Sequence, residues 1–197
     1  MTNPPVTQIA RKFTSGEEVD EWGNKQWARV EPHLTDRDKA DLRQYTGAAY
    51  DTINRSLRGG TALEGNMPGL VKSLDSIFDN PVLALDEPIV TYRGVSYEPW
   101  SKLTKDDIGT LMIDPGFAST TPNLQRATSY VNENLTLLEI TLPEGSKAIW
   151  LGNLQTFIKE QEVLLGRGSK MILRDIAEDV DVDYGDKYRL LQVDLIN

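Results

Sequence analysis

At Pro88 the chain passes from one kind of patterning to another, and that change limits the fold more than any other feature. Before it, Leu42, Tyr45, Ala49, Ile53 and Leu57 recur at spacings of three and four, marking one helical face. Gly59-Gly60 closes that face, since glycine lets a chain leave a helix through positive φ. Ser15-Gly16-Glu17-Glu18 and Thr35-Asp36-Arg37-Asp38 look like capping boxes, the first opening a helix through Trp22 and Trp27. Leu70, Leu74, Ile77 and Phe78 predict a further helix. After Pro88 the pattern predicts strands over 89–93, 116–120, 136–142, 148–151, 162–165, 170–176 and 188–196, with one helix over 123–132. Helices followed by strands predict an α+β fold, not an alternating parallel sheet. No linker divides the strands, so the expectation is a single domain over 1–197: a helical flank, 1–34, without an assignable motif, and a core over 35–197.

Charge and rare residues narrow the chemistry. Thirty acidic residues against twenty-one basic ones argue against nucleic acid and anionic membrane surfaces as partners. No apolar run is long enough for a membrane helix, and the first residues lack the apolar stretch of a signal peptide. The absence of cysteine excludes thiol nucleophiles and thiolate metal sites, and a single histidine, His33, argues against zinc centres and a serine–histidine triad. The expectation is therefore no metal, with chemistry carried by carboxylates, hydroxyls, arginines and backbone.

Four short motifs stand out, and each has an ordinary reading beside the functional one. Glu160-Gln161-Glu162 precedes the apolar run Val163-Leu164-Leu165; if it is extended, the two glutamates project from one side about 7 Å apart and can divide a task between cation and proton. An acidic strand start in an acidic protein is the plainer account. Phe117-Ala118-Ser119-Thr120-Thr121 supplies hydroxyls that can orient a carboxylate, or simply a turn into the next helix. Arg93, inside the apolar strand Thr91-Tyr92-Arg93-Gly94, costs several kcal/mol to bury unless an anion meets it; a phosphate or an internal carboxylate would serve. Tyr50, Asn54 and Arg58, four apart, place polar groups along one helix face, which is also how an ordinary amphipathic helix looks.

Order and spacing say more than any one motif. Tyr50, Ile53, Asn54, Leu57 and Arg58, then Tyr92-Arg93, then Phe117 to Thr121, then Glu160 to Ser169, resemble the arginine–serine–glutamate clan of mono-ADP-ribosyltransferases. The likeness is to the catalytic domain of bacterial actin- and Rho-modifying exotoxins and some phage enzymes, and spans roughly residues 40–176. Two departures stand out: Gly166 occupies a place where many relatives have proline, and Asn132-Glu133-Asn134 lacks the basic residue that relatives carry there, a role Arg126 is the candidate to fill.

The resemblance implies two packed antiparallel sheets with an NAD cleft between them, NAD being a substrate and not a hydride carrier. Glu162 would oppose the positive charge on the ribose as the nicotinamide bond breaks, with Ser119 holding it in place. Arg93, Arg58 and Asn54 would grip the diphosphate, with Tyr50 on the same helix face; Gly94 would allow close ligand approach, and Tyr130 would stack on nicotinamide. In this family a glutamate at the first acidic position goes with arginine acceptors, so Glu160 implies arginine, and Phe157 resembles the aromatic that contacts the target. The expectation is a monomeric NAD–protein-arginine ADP-ribosyltransferase working in the cytosol of a host or target cell, whether phage-encoded, injected or secreted. Its target would be actin or a bacterial host protein. The rival readings are an NAD glycohydrolase using water, an inactive NAD- or ADP-ribose-binding module, and an acidic structural domain.

Overall fold

The computed structural model describes residues 9–95, 98–131, 135–154, 160–183 and 186–196. Among the described residues four α-helices precede the first strand where the patterning marks three, because the helix expected to carry Leu42 to Leu57 is divided in two: α1 Gly16–Val30, α2 Asp36–Gln44, α3 Tyr50–Gly59 and α4 Met67–Phe78. Ser15 caps α1 by accepting from the Glu18 N–H. The box is not reciprocal, because the Glu18 carboxylate bonds instead to the Thr14 N–H and to Arg11. Thr35 and Asp38 do close a reciprocal box at the start of α2. Gly60 ends α3 with φ 65°. Between α2 and α3 the backbone widens into one π-turn, Tyr45–Ala49.

The second part holds β1 Ile89–Gly94, α5 Glu98–Ser101, β2 Leu111–Asp114, β3 Ala118–Thr120, α6 Leu124–Thr128, β4 Thr136–Leu142, β5 Ala148–Trp150, β6 Val163–Leu165, β7 Ser169–Asp183 and β8 Asp186–Ile196. They form a five-stranded sheet, β1-β4-β8-β7-β2, and a three-stranded sheet, β3-β6-β5. The smaller sheet is antiparallel throughout. The larger is mixed, because β4 and β8 run parallel, which corrects the expectation of two antiparallel sheets. β7 is irregular in register at three places, and Asp179 has φ 56° in one of them; such bulges curl a long strand. A single pair of backbone bonds, Tyr92 with Thr121, stitches β1 of the large sheet to the end of β3.

Other boundaries differ from the pattern for local reasons. β3 begins at Ala118 and not Gly116, because the Gly116 and Phe117 N–H groups are taken by the side chains of Asp114 and Asn54. α6 stops at Thr128, where backbone bonds shorten to i→i−3 through Val131. β2 carried too short an apolar run to be read beforehand.

The main core lies between the helices and the two sheets, with Leu42, Tyr45, Ile53, Leu74, Phe117, Ile149 and Leu164 buried in it. α1 joins it through Trp22, whose ring meets Trp150 of β5 edge-on at 6.1 Å. A side chain at Gly23 would sit 2.3 Å from the Trp150 ring, so only glycine permits that approach. A second cluster, including Val90, Tyr92, Ala127 and Leu137, packs α6 on the other face of the large sheet. Among the described residues no helix is long and apolar enough to cross a membrane.

Candidate active site

Where the two sheets meet, the structure gathers most of the residues singled out above. Arg93, next to last in β1, sends its Nη1 across to the Ser119 carbonyl at 3.1 Å. Burial first, and then the neighbouring Arg58 cation, push the Arg93 guanidinium below its ordinary value; Asp114, Tyr45 and Glu162 act in the opposite direction. Those residues are therefore near enough for their charges to act on one another. Arg58, Arg93, Asp114 and Ala118 also line a small cavity of about 10 Å³, room for one water.

Arg58 does not wait for an anion. Its Nε and Nη2 form a fork on the Asp114 carboxylate at 2.9 and 3.0 Å, and Nη2 also donates to the Phe117 carbonyl. Asn54 is the strut beneath: its amide nitrogen donates to the Tyr45 hydroxyl and its oxygen accepts from the Phe117 N–H, both at 2.9 Å. A Cβ at Gly116 would lie 2.7 Å from the Asn54 oxygen, so α3 and the β2–β3 turn can lock together only with glycine there.

Tyr45, not Tyr50, is the tyrosine of this cluster. Tyr50 is 51% exposed, whereas Tyr45 is buried and stacks edge-on to Phe117 at 5.3 Å. Burial drives the Tyr45 phenol far above its ordinary value. In an unbroken helix, residues nine apart lie on opposite faces, at about 100° per residue. The π-turn absorbs one residue and turns Asn54 back toward Tyr45. No spacing rule for an α-helix would have found that pair, and Asp114 sits on a strand that was not expected.

The acidic motif is arranged differently from the extended reading. Glu162 is 8% exposed and enters β6, its carbonyl accepting from the Leu151 N–H. Register continued one residue past Thr120–Val163 sets Thr121 opposite Glu162, which puts Ser119 on the same side of the strand pair. Gln161 has φ 53°, so the path is not extended at the middle residue and strand alternation does not place Glu160 beside Glu162. Glu160 lies near Tyr130, just beyond α6, close enough for its charge, and more weakly that of Glu162, to act on the phenol. Burial and then the Glu160 charge raise the Tyr130 phenol, although that residue is 53% exposed.

Gly94 is also needed for a reason other than ligand approach. A Cβ there would come within 2.5 Å of the Tyr130 carbonyl carbon and oxygen, so the close contact is with the chain's own backbone. It brings Tyr130 over the end of β1. Phe157 lies outside the described residues. The structure thus brings together Arg93, Arg58, Asn54, Ser119 and Glu162, adds Tyr45 and Asp114, and sets Glu160 and Tyr130 together at the rim.

Comparison with known proteins bears on the fold and the family. NAD(+)–arginine ADP-ribosyltransferase EFV of Enterococcus faecalis is 24% identical over 147 residues, covering 72% of this chain and 29% of its own length. Photox toxin of Photorhabdus laumondii is 28% identical over 178 residues, covering 77% of this chain and 42% of its own. The chain therefore spans less than half of these relatives. In fold it matches C3stau2 of S. aureus, a structure solved with NAD, with a TM-score of 0.77 and 20% identity over 95% of this chain and 98% of that one. A family model described as ADP-ribosyltransferase exoenzyme matches residues 19–196, from within α1 to the end of β8, and the chain belongs to that family.

Proposed function

We propose that this chain transfers ADP-ribose from NAD to an arginine of a target protein and releases nicotinamide. The observation that carries the reading is the convergence of two arginines and a buried glutamate, Arg93, Arg58 and Glu162, at the junction of the sheets. A dinucleotide presents a diphosphate to the cations and a ribose to the carboxylate. Membership of the family and the name of the Enterococcus relative support the same substrate pair.

In this reading Arg93 faces the diphosphate from a fixed strand, its guanidinium steadied by the Ser119 carbonyl. Arg58 contributes from α3 while Asp114 keeps it oriented. The bond between nicotinamide and the ribose anomeric carbon breaks, and nicotinamide leaves with the bonding pair. Positive charge then grows on the ribose, and the Glu162 carboxylate is the group that opposes it. A guanidinium nitrogen of the target forms the new bond to that carbon, and its proton passes to Glu160. Tyr130 is suited to hold Glu160 at the rim, and its exposed ring is available to nicotinamide.

The test is incubation with NAD labelled in the adenylate part, with and without lysate protein. The expected result is nicotinamide release together with labelled protein whose linkage is cleaved by hydroxylamine, as an arginine adduct is. Nicotinamide release with no labelled protein would instead make the chain an NAD glycohydrolase. Absence of both nicotinamide release and labelled protein would overturn the proposal.

A further inference from the structure

Gln161 occupies the position between the two glutamates, and nothing in the reaction so far uses it. It is 5% exposed and holds φ 53°, a region that glycine and asparagine enter readily and glutamine does not. Something has to keep it there. Its side-chain nitrogen donates to the Gly16 carbonyl at 2.7 Å and to Asp20 Oδ1 at 3.1 Å, both on the first turns of α1. Its side-chain oxygen accepts from Asn123 Nδ2 at 2.7 Å. Asn123 is itself fixed: its Oδ1 caps α6 at the Arg126 N–H, and its own N–H donates to Thr121 Oγ1 at the end of β3.

The amide can sit only one way round. Turned over, its oxygen would face the Gly16 carbonyl and the Asp20 carboxylate, two acceptors with no proton between them. Three bonds from two helices thus fix one side chain, and through it one left-handed residue. The consequences fall on its neighbours. Glu162 proceeds into β6, while Glu160 is turned out of the strand line to Tyr130, which follows the same α6 that Asn123 caps.

We propose that Gln161 is a positioning residue, its amide clasped between α1 and α6 so that the left-handed turn sets Glu160 relative to Glu162. The clasp rests on the reading of those glutamates given above, and it assigns a task to the first turns of α1 and to Asn123. Bond cleavage needs only Glu162, whereas transfer needs Glu160 in register with it. Loss of the clasp therefore falls on transfer before it falls on NAD binding.

Two variants separate this from a merely structural tether. Asn123→Asp keeps the acceptor that caps α6 and removes the N–H that reaches Gln161. Gln161→Gly suits the left-handed backbone and deletes the amide. In each, kcat for arginine modification is expected to fall about tenfold, KM for NAD to move less than about twofold, and the ratio of NAD hydrolysis to transfer to rise. A readout independent of turnover is the Tyr130 phenol, followed by carbon-13 labelling of the tyrosine ring and assigned with Tyr130→Phe. It should titrate above an ordinary tyrosine in the parent and move back toward it in both variants as Glu160 swings away. Variants that keep the parent ratio and the parent Tyr130 titration overturn the proposal, as does a loss of both activities in step with the folded fraction. If the parent itself releases no nicotinamide, the enzymatic reading has failed, and the Tyr130 shift alone decides the clasp.

Discussion

The two walls of the site are built on opposite plans. On the cationic wall, α3, β1 and the β2–β3 turn are bonded directly to one another: Arg58 to Asp114, Asn54 to Tyr45 and Phe117, Arg93 to Ser119. Each of these side chains is held by another element of the wall, and Gly116 is the condition for the close fit. On the acidic wall, Glu160 and Glu162 flank a single strained residue that hangs by its amide from two helices. The difference matches what each wall would have to recognise in the proposed reaction. A diphosphate has one shape, and a preformed pair of cations meets it without rearrangement. The proposed acceptor arginine would arrive on another protein, and the carboxylate assigned to meet it sits on the more easily retuned wall.

The largest effect expected is on the acidic side. Glu160→Gln should cut arginine modification by about 10²–10⁴ while nicotinamide release without acceptor persists, measured on one preparation. Equal loss of both activities would mean that the two glutamates act as one group. Glu162→Gln should lower both activities by about 10²–10³ with the fold intact, since the charge opposing the ribose cation is gone and the shape is kept.

On the cationic wall the first effect is on stability. Asp114→Asn leaves Arg58 with a neutral partner, and the fold should lose about 3 kcal/mol, the low end for a broken buried pair, because Phe117 still accepts from it. NAD should then raise the melting temperature of this variant more than that of the parent, as the diphosphate supplies the missing charge. If NAD stabilises both equally, Arg58 is structural and does not meet the ligand. Arg93→Lys should weaken NAD binding about tenfold by calorimetry, an ammonium being unable to present a fork of donors. Unchanged affinity with a lowered melting temperature would place Arg93 among the struts.

The smallest effect lies outside both walls. Glu18 is held at about 2, chiefly by the Thr14 N–H and then by Arg11, against an ordinary value of 4.5. A carboxylate whose folded value is depressed adds stability above its ordinary value and loses it as pH falls through the folded one. Glu18→Gln should therefore flatten the decline of the melting temperature between pH 4.5 and about 2 and leave the Glu160 and Glu162 activities unchanged.

What could be read from the sequence was what repeats or has a local chemical signature. The helix faces, Gly60, the Thr35 cap and the apolar strands follow from periodicity and capping, which depend on neighbours in the chain. Arg93 stood out as a guanidinium in a mainly apolar strand, Ser119 as part of a run of hydroxyls, and Glu162 as a carboxylate leading into an apolar run. Asp114 was not, since its strand is four residues long and its partner is on α3. Tyr45 was legible as part of a buried face, but its bond to Asn54 was hidden by the π-turn, which changes how residues nine apart face one another. Gln161 was hidden because its partners lie 38 and more than 140 positions away. Gly94 was read as a place of close ligand approach, and the group that approaches it in the structure is the backbone of Tyr130.

The parallel pairing of β4 with β8 has a bearing on when the site can exist. In the order β1-β4-β8-β7-β2, β8 is the middle strand; Arg93 is on one side of it and Asp114 on the other. Until residues 186–196 are seated, β1–β4 and β7–β2 are two separate ribbons with no shared sheet. Such long-range closure is slow and comes late in folding. A chain still being synthesised, or one frayed along that strand, would hold both arginines and both glutamates yet have no cleft, so activity should switch on with the final closure of the sheet and not grow with length.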